Sequence, residues 1–246
     1  KKLSATQTTD RRKDVLRNHD IFTQYMSEYE TIAGEQLFLN AVENYPQLVG
    51  MKANLYKCFL PQAWQFNNGY GVSAFIHPEG AFDDPKGGAL REKLYPRLRK
   101  HFRFANERKL FPEVDHHTTF SLNVYGGPLQ TVSFDTICNL YDASSIAECY
   151  EGDPSLPVPG IKDENGNWNI KGHPDRVIHI TKRELNVFSK IFDNQGDWHS
   201  ATLASLHVKE QMEVLERFFE CKKSLGNYKG LLYTTTMWNE TNSQKD

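Results

Sequence analysis

A chain of 246 residues with 39% hydrophobic and 12% aromatic content has the length for one large domain or two smaller ones and the apolar content for a packed core, which excludes a disordered chain. A formal net charge of −2 excludes a protein that meets nucleic acid with its whole surface, and no apolar run reaches the roughly 20 residues of a membrane-spanning helix. The polar, charged start does not read as a secretory signal, and Cys58, Cys138, Cys149 and Cys221 form no CxxC pair, so free thiols in a reducing cytoplasm are expected rather than a zinc site or a disulfide framework.

Taken in chain order, Val15, Phe22, Met26, Tyr29 and Ala33 recur at mostly three- or four-residue spacing and predict a helix from Asp10, its cap, to Ala33, with Gly34 as its stop. Arg11, Arg12 and Lys13 then fall at the wrong end of that helix for its dipole. Leu55, Phe59, Ala63 and Phe66 predict a second helix over 51–66, kinked or restarted at Pro61. The turn Asn67-Asn68-Gly69-Tyr70-Gly71 feeds a strand from Val72 to His77. Leu90, Leu94 and Leu98 predict a helix over 88–100, bent at Pro96. Phe120, Leu122 and Val124 then alternate with Ser121, Asn123 and Tyr125 as a strand. A further strand is predicted over 129–134 and a short helix over 142–150. Prolines and glycines punctuate 151–174 as a linker, after which a strand over 177–180, a helix from Thr181 to about Phe192, a helix over 208–225 and a strand over 231–238 are expected. This alternation is the grammar of an α/β layer fold. Residues 1–150 are expected to form one α/β domain and 151–246 a linker with the start of a helical or α+β module. Leu55, Phe59, Val72, Ala74, Ile76, Leu94, Leu98, Phe120, Leu122 and Val124 are expected to share one core.

Charge is unevenly placed. Between Lys86 and Lys109 stand Arg91, Lys93, Arg97, Arg99, Lys100, Arg103 and Arg108, against only Glu92 and Glu107. Such a run either binds phosphate or forms an ordinary solvated face.

Within this stretch Asn54-Leu55-Tyr56 with Phe59, the apolar strand ending in His77-Pro78-Glu79-Gly80, Asp83-Asp84-Pro85 with Leu90-Arg91, Phe104 through Asn106-Glu107 to Leu110-Phe111, and the strand FSLNVYGG occur in order. The series resembles the large adenine-specific DNA methyltransferases of restriction–modification and phage-defence systems, the type IIG-like enzymes, over residues 51–127 and more weakly beyond. The resemblance implies the C-terminal half of a Rossmann-like methyltransferase sheet, with its fifth to seventh strands and an appended α+β segment. It also implies a parent enzyme that transfers methyl from S-adenosylmethionine to adenine in double-stranded DNA. The Gly-rich cofactor turn and the Asn/Asp-Pro-Pro-aromatic catalytic loop of that family do not occur in this sequence; Asp153-Pro154-Ser155 lacks the second proline and the aromatic. The chain therefore reads as a fragment downstream of the catalytic loop, dependent on the rest of the enzyme and not expected to bind S-adenosylmethionine tightly or to methylate DNA alone. By the same resemblance His77, Pro78 and Glu79 form the ligand-side loop, Phe111 stands where an aromatic stacks on a flipped-out adenine, and Arg103, Arg108 and Lys109 are DNA-binding candidates. From position alone, Phe111 is equally a core residue at a strand end.

Asp115-His116-His117 suggests metal ligands, but adjacent residues on a strand point apart, so no metal site is expected. Asp83 and Asp84 precede Pro85-Lys86-Gly87-Gly88, which suits a tight turn better than a nuclease centre. Trp64, Trp168, Trp198 and Trp238 read as packing residues. Two rival readings remain: a DNA-binding or specificity module without catalysis, and a structural interaction domain.

Overall fold

A computed structural model describes residues 3–52, 54–193, 197–221, 223, 225–228, 230, 231 and 233. The strand expected over 231–238 and Trp238 lie essentially outside the described residues. The molecule is a mixed α/β protein built on one five-stranded sheet with the spatial order β1-β3-β2-β4-β5. The strands are β1 (Ser73–Pro78), β2 (Leu98–Ala105), β3 (Thr119–Tyr125), β4 (Ser133–Leu140) and β5 (Ile178–Thr181). β3 runs antiparallel between β1 and β2, β4 lies parallel to β2, and β5 closes the far edge antiparallel to β4. Consequently β1, β2 and β4 share one direction, and their carboxyl ends share one end of the sheet.

The helices are α1 (Ala5–Val15), α2 (His19–Asn40), α3 (Leu55–Phe66), α4 (Gly80–Asp83), α5 (Gly88–Leu94), α6 (Ser144–Glu151), α7 (Lys182–Phe188) and α8 (Lys209–Glu220). The single helix expected over 10–33 is instead two. Ser4 caps α1 through a capping box with Gln7, and the Asn18 side chain accepts from the Asp20 and Ile21 amides to start α2. With α1 beginning at Ala5, Arg12 and Lys13 occupy its last turn, the favourable end of the dipole, which corrects the sequence reading. Gly34 lies inside α2 rather than stopping it. Pro61 lies within α3, which starts at Leu55 under the Asn54 cap. The helix expected over 88–100 ends at Leu94; Pro96 follows, and Leu98 already belongs to β2. The strand expected over 129–134 lies later, at β4.

Both faces of the sheet carry apolar clusters. On one face Leu90, Leu94, Phe82, Leu60, Leu185 and Phe188 pack with Leu98, Tyr125, Phe134, Ile178 and Ile180. On the other Phe102, Phe104, Phe120, Ile137 and Leu140 pack with Cys149, and Leu122 and Ile146 border them. The single core expected from sequence is thus divided. Leu94 and Leu98 lie in the first cluster and Phe120 in the second, while Leu55 (58% exposed), Phe59 (53%), Val72 and Ile76 (57%) lie in neither. The apolar face of α3 that the spacing singles out points outward; Lys57, Cys58, Leu60 and Pro61 are its buried residues. β1 is an edge strand among the described residues, although α5 still packs on the sheet. The Gly/Pro-rich stretch contains neither a helix nor one of the sheet strands between α6 and residue 174, yet β5 behind it joins the same sheet, and Leu185, Ala201 and Leu203 join the first cluster. All four cysteines are free thiols, three of them buried.

This division makes a direct prediction. Leu94→Ala should cost about 2–5 kcal/mol of stability, whereas Leu55→Ala should stay within about 0.5 kcal/mol. Urea unfolding of the two variants checks the assignment, and equal losses would restore the single core.

Candidate functional site

Alternation along β2 and β3 sends Phe102, Phe104, Phe120 and Leu122 to one face and His101, Arg103, Ser121 and Asn123 to the other. His101, Ser121 and Asn123 do not meet solvent, because α3, α4 and α5 cover that face, and Arg103 meets it only in part. His77, Glu79, His101, Ser121, Asn123 and Thr136 are all buried there. Burial of so many polar groups requires that they satisfy one another.

Glu79, just past β1, is the hub. One of its oxygens lies 3.2 Å from Arg103 Nε, and the carboxylate lies 3.3 Å from His101 Nε2. Thr136 Oγ1 lies 2.8 Å from His101 Nδ1. The hydroxyl of Thr136 thus donates to Nδ1 when Nε2–H faces the carboxylate. Burial pushes the Glu79 carboxyl up, but His101, the Ser121 hydroxyl and Arg103 together hold it below the usual carboxylate range. His77 forms a second knot: Nδ1 lies 2.8 Å from the Pro78 carbonyl, and Nε2 lies 3.0 Å from both Tyr125 Oη and Asn123 Nδ2. A carbonyl can only accept, so Nδ1 carries the proton and Nε2 accepts. Burial lowers the His77 pKa and keeps the ring neutral. Tyr56 and Phe82 stack on the His77 ring at 5.4 and 5.9 Å. The turn that carries Glu79 is anchored by the Lys57–Asp84 pair at 3.1 Å and by Arg91 Nη1 donating to the Asp84 carbonyl at 2.8 Å.

The connection between β2 and β3, residues 106–118, stands at the carboxyl ends of the parallel strands, where open α/β sheets place ligands. One buried amide shapes it. Asn106 Nδ2 donates to the Phe111 and Val114 carbonyls at 2.9 and 3.0 Å, and its Oδ1 accepts the Phe111 N–H at 2.9 Å. Phe111 is thereby fixed by its backbone, with its ring edge on Phe120 at 4.9 Å and 39% of the residue exposed. Lys109 is exposed and has left-handed backbone, φ 54°. Beside this loop a concavity of about 1000 Å³ is lined by Arg108, Trp168 and neighbours from 157–171; Trp168 stacks on Tyr141 at 4.7 Å.

Most of the basic run is committed elsewhere. Arg91 is buried against the Ser200 and Asp84 carbonyls, Arg97 lies over Trp64, and Arg99 donates to the Pro96 and Gly127 carbonyls. Lys93 pairs with Glu92, Lys100 with Asp135, Arg103 with Glu79 and Arg108 with Asp142. Among the described residues, Lys86 and Lys109 are the members of the run whose charged ends meet neither an acid, a carbonyl nor an aromatic ring. His77 and Glu79 are buried, and Pro78 beside them is exposed. The structure therefore brings Arg108, Lys109 and Phe111 together on one loop, and ties Arg103 instead to Glu79.

Sequence reasoning assigned no role in a site to His101, Ser121, Asn123 or Asn106. Polar residues at alternate strand positions read as solvent-facing when one sheet face is assumed bare; two covered faces invert that reading.

No family model matches the chain, and no curated protein does. Among solved structures, the type IIG restriction endonuclease BpuSI is similar at 15% identity and a TM-score of 0.37, over 65% of this chain and 17% of that one. The M protein of the type I restriction enzyme EcoKI is similar at 15% identity and a TM-score of 0.39, over 74% of this chain and 43% of that one. The chain thus spans less than half the length of either structure.

The polar network predicts a pH dependence. A group whose folded pKa is lowered favours folding above its unfolded pKa and loses that contribution as pH falls through the folded value. For His77 the loss begins below about pH 6.5, with buried His207 contributing in the same sense; for Glu79 it begins below about pH 4.3. Urea midpoints should fall between pH 7.5 and 5.5, and His77→Gln should flatten part of that slope. A midpoint independent of pH in this window would exclude a neutral buried His77. Separately, Glu79→Ala should cost about 3–5 kcal/mol, because it strands the His101 and Arg103 donors.

Proposed function

We propose that this chain is part of an adenine-specific DNA methyltransferase of the restriction–modification type, and that its contribution is a DNA-facing wall at the carboxyl ends of β1, β2 and β4. The observation that carries the reading is the 106–118 loop, which presents an exposed aromatic, Phe111, next to an exposed lysine, Lys109, on a buried amide support. Phe111 supplies the π-face on which an unstacked adenine regains its stacking, Lys109 meets a phosphate, and Arg108 adds charge through its outer, partly exposed guanidinium. The ordered series of motifs from Asn54 to Gly127 supports the same assignment.

S-adenosylmethionine is the methyl donor of such enzymes, but the residues of this chain do not fit it. Glu79, the carboxylate at the end of β1, is buried and already bonded to His101 and Arg103, and among the described residues no G-x-G turn follows a strand to receive the cofactor. Calorimetry should detect no micromolar affinity, which would correspond to about −8 kcal/mol.

Binding to a duplex of some 20 base pairs, measured against salt, tests the DNA reading. Lys109→Ala should weaken binding to all sequences and reduce the salt slope by about one unit. Phe111→Ala should leave a fully paired duplex nearly unaffected but weaken binding to one with an unpaired adenine by about 1–3 kcal/mol. If Phe111→Ala binds both duplexes as the parent chain does, the base-stacking role is excluded and Phe111 is a packing partner of Phe120.

A further inference from the structure

The adjacent histidines 116 and 117 were expected to point apart on a strand. They lie instead in a turn before β3, where Asp115 Oδ1 accepts the His117 N–H at 2.8 Å and the Asp115 carbonyl accepts the Thr118 N–H at 3.0 Å. This turn sets the two imidazoles side by side, ring centroids 3.7 Å apart, and both face Glu107 at the opposite end of the loop. His116 Nδ1 lies 3.1 Å from Glu107 Oε2, and His117 Nδ1 lies 3.3 Å from Glu107 Oε1. One donor atom from each of the three residues falls within 4.8 Å of the others.

We infer that Glu107, His116 and His117 form a binding site for a divalent transition-metal ion of the zinc class. Two imidazole nitrogens and a carboxylate are the donor set such ions select, and hard ions such as magnesium prefer oxygen alone. The spacing also suits it. Two ligand atoms about 2.1 Å from a tetrahedral ion stand about 3.4 Å apart, so the observed nitrogen-to-oxygen separations change little when an ion replaces the shared protons. The three residues are half-buried or exposed, so the ion enters from solvent and water completes its shell. Of the neighbouring bases, Arg108 is neutralised by Asp142, while Lys109 points charge at solvent. Binding joins the first turn of the loop to its last, and the segment carrying Lys109 and Phe111 lies between the two joined ends. The ion would clamp that segment.

Titration of the full chain with Zn²⁺ in a non-chelating buffer tests the site. One ion per chain should bind with micromolar or tighter affinity. His116→Ala/His117→Ala should weaken it by at least the roughly 10–100-fold that loss of even an outer-shell partner costs, and Glu107→Gln should weaken it in the same direction. His179→Ala, which removes another exposed histidine paired with a carboxylate, should leave it unchanged. Zn²⁺ should also slow tryptic cleavage after Arg108 and Lys109 several-fold in the parent chain and not in the double variant, whose folding is checked by its urea midpoint. The inference is overturned if no binding is detected, if the double variant binds Zn²⁺ as tightly as the parent chain, or if His179→Ala removes the binding.

Discussion

The fold rests on keeping a carboxylate charged inside it. Glu79 leaves β1 at the point where the sheet meets α4, and its oxygens draw in His101 and Arg103 from β2 and Ser121 from β3. A buried ion is tolerable only where its lone pairs are filled. Here the neighbouring strands fill them in register, since Ser121 lies opposite both His77 on β1 and Arg103 on β2. A one-residue slip of either strand would turn Arg103 or Ser121 to the other face and leave the carboxylate bare among aromatics. The polar network thus specifies alignment, while Leu90, Leu94, Phe82 and Phe134 around it supply the apolar burial.

What could be read from the sequence was local. The strand after Gly71, the Thr181 cap and the amphipathic α8 each follow from a few consecutive residues, and each stands within a residue or two of its expected start in the structure. What could not be read depended on partners distant in sequence. The Lys86–Lys109 run looked like a surface patch because Asp135, Asp142 and the carbonyls of Gly127 and Ser200 are remote along the chain. The outward face of α3 has the same origin, since spacing reveals that Leu55 and Phe59 share a face but not which face the sheet takes. For the loop, Phe111 stood out as a candidate by its order in a motif series. Its support by Asn106, and the convergence of His116 and His117, depend on turn geometry that no periodicity encodes.

The fate of the basic residues also reshapes the electrostatics. A run of like charge suggests a broad attractive surface, yet seven of its nine members spend their hydrogen bonds or ion pairs on positioning helices, strands and loops within the molecule. The remaining field is concentrated at few points, and Lys109 lies beside the exposed aromatic. A surface of this kind attracts a polyanion weakly at long range and discriminates mainly at contact.

The position of β1 carries a consequence for the behaviour of the chain in solution. Among the described residues its only partner is β3, so along its other side alternate amides and carbonyls face outward, beside a sheet face on which Ala74 and Ile76 are exposed. Pro78 cannot donate and blunts one end of this edge, but the rest is a template on which a second extended segment can lay down a hydrogen-bond ladder. Concentration therefore becomes a structural variable for this polypeptide. An open edge pairs with extended segments more readily as concentration rises, and a covered edge does not.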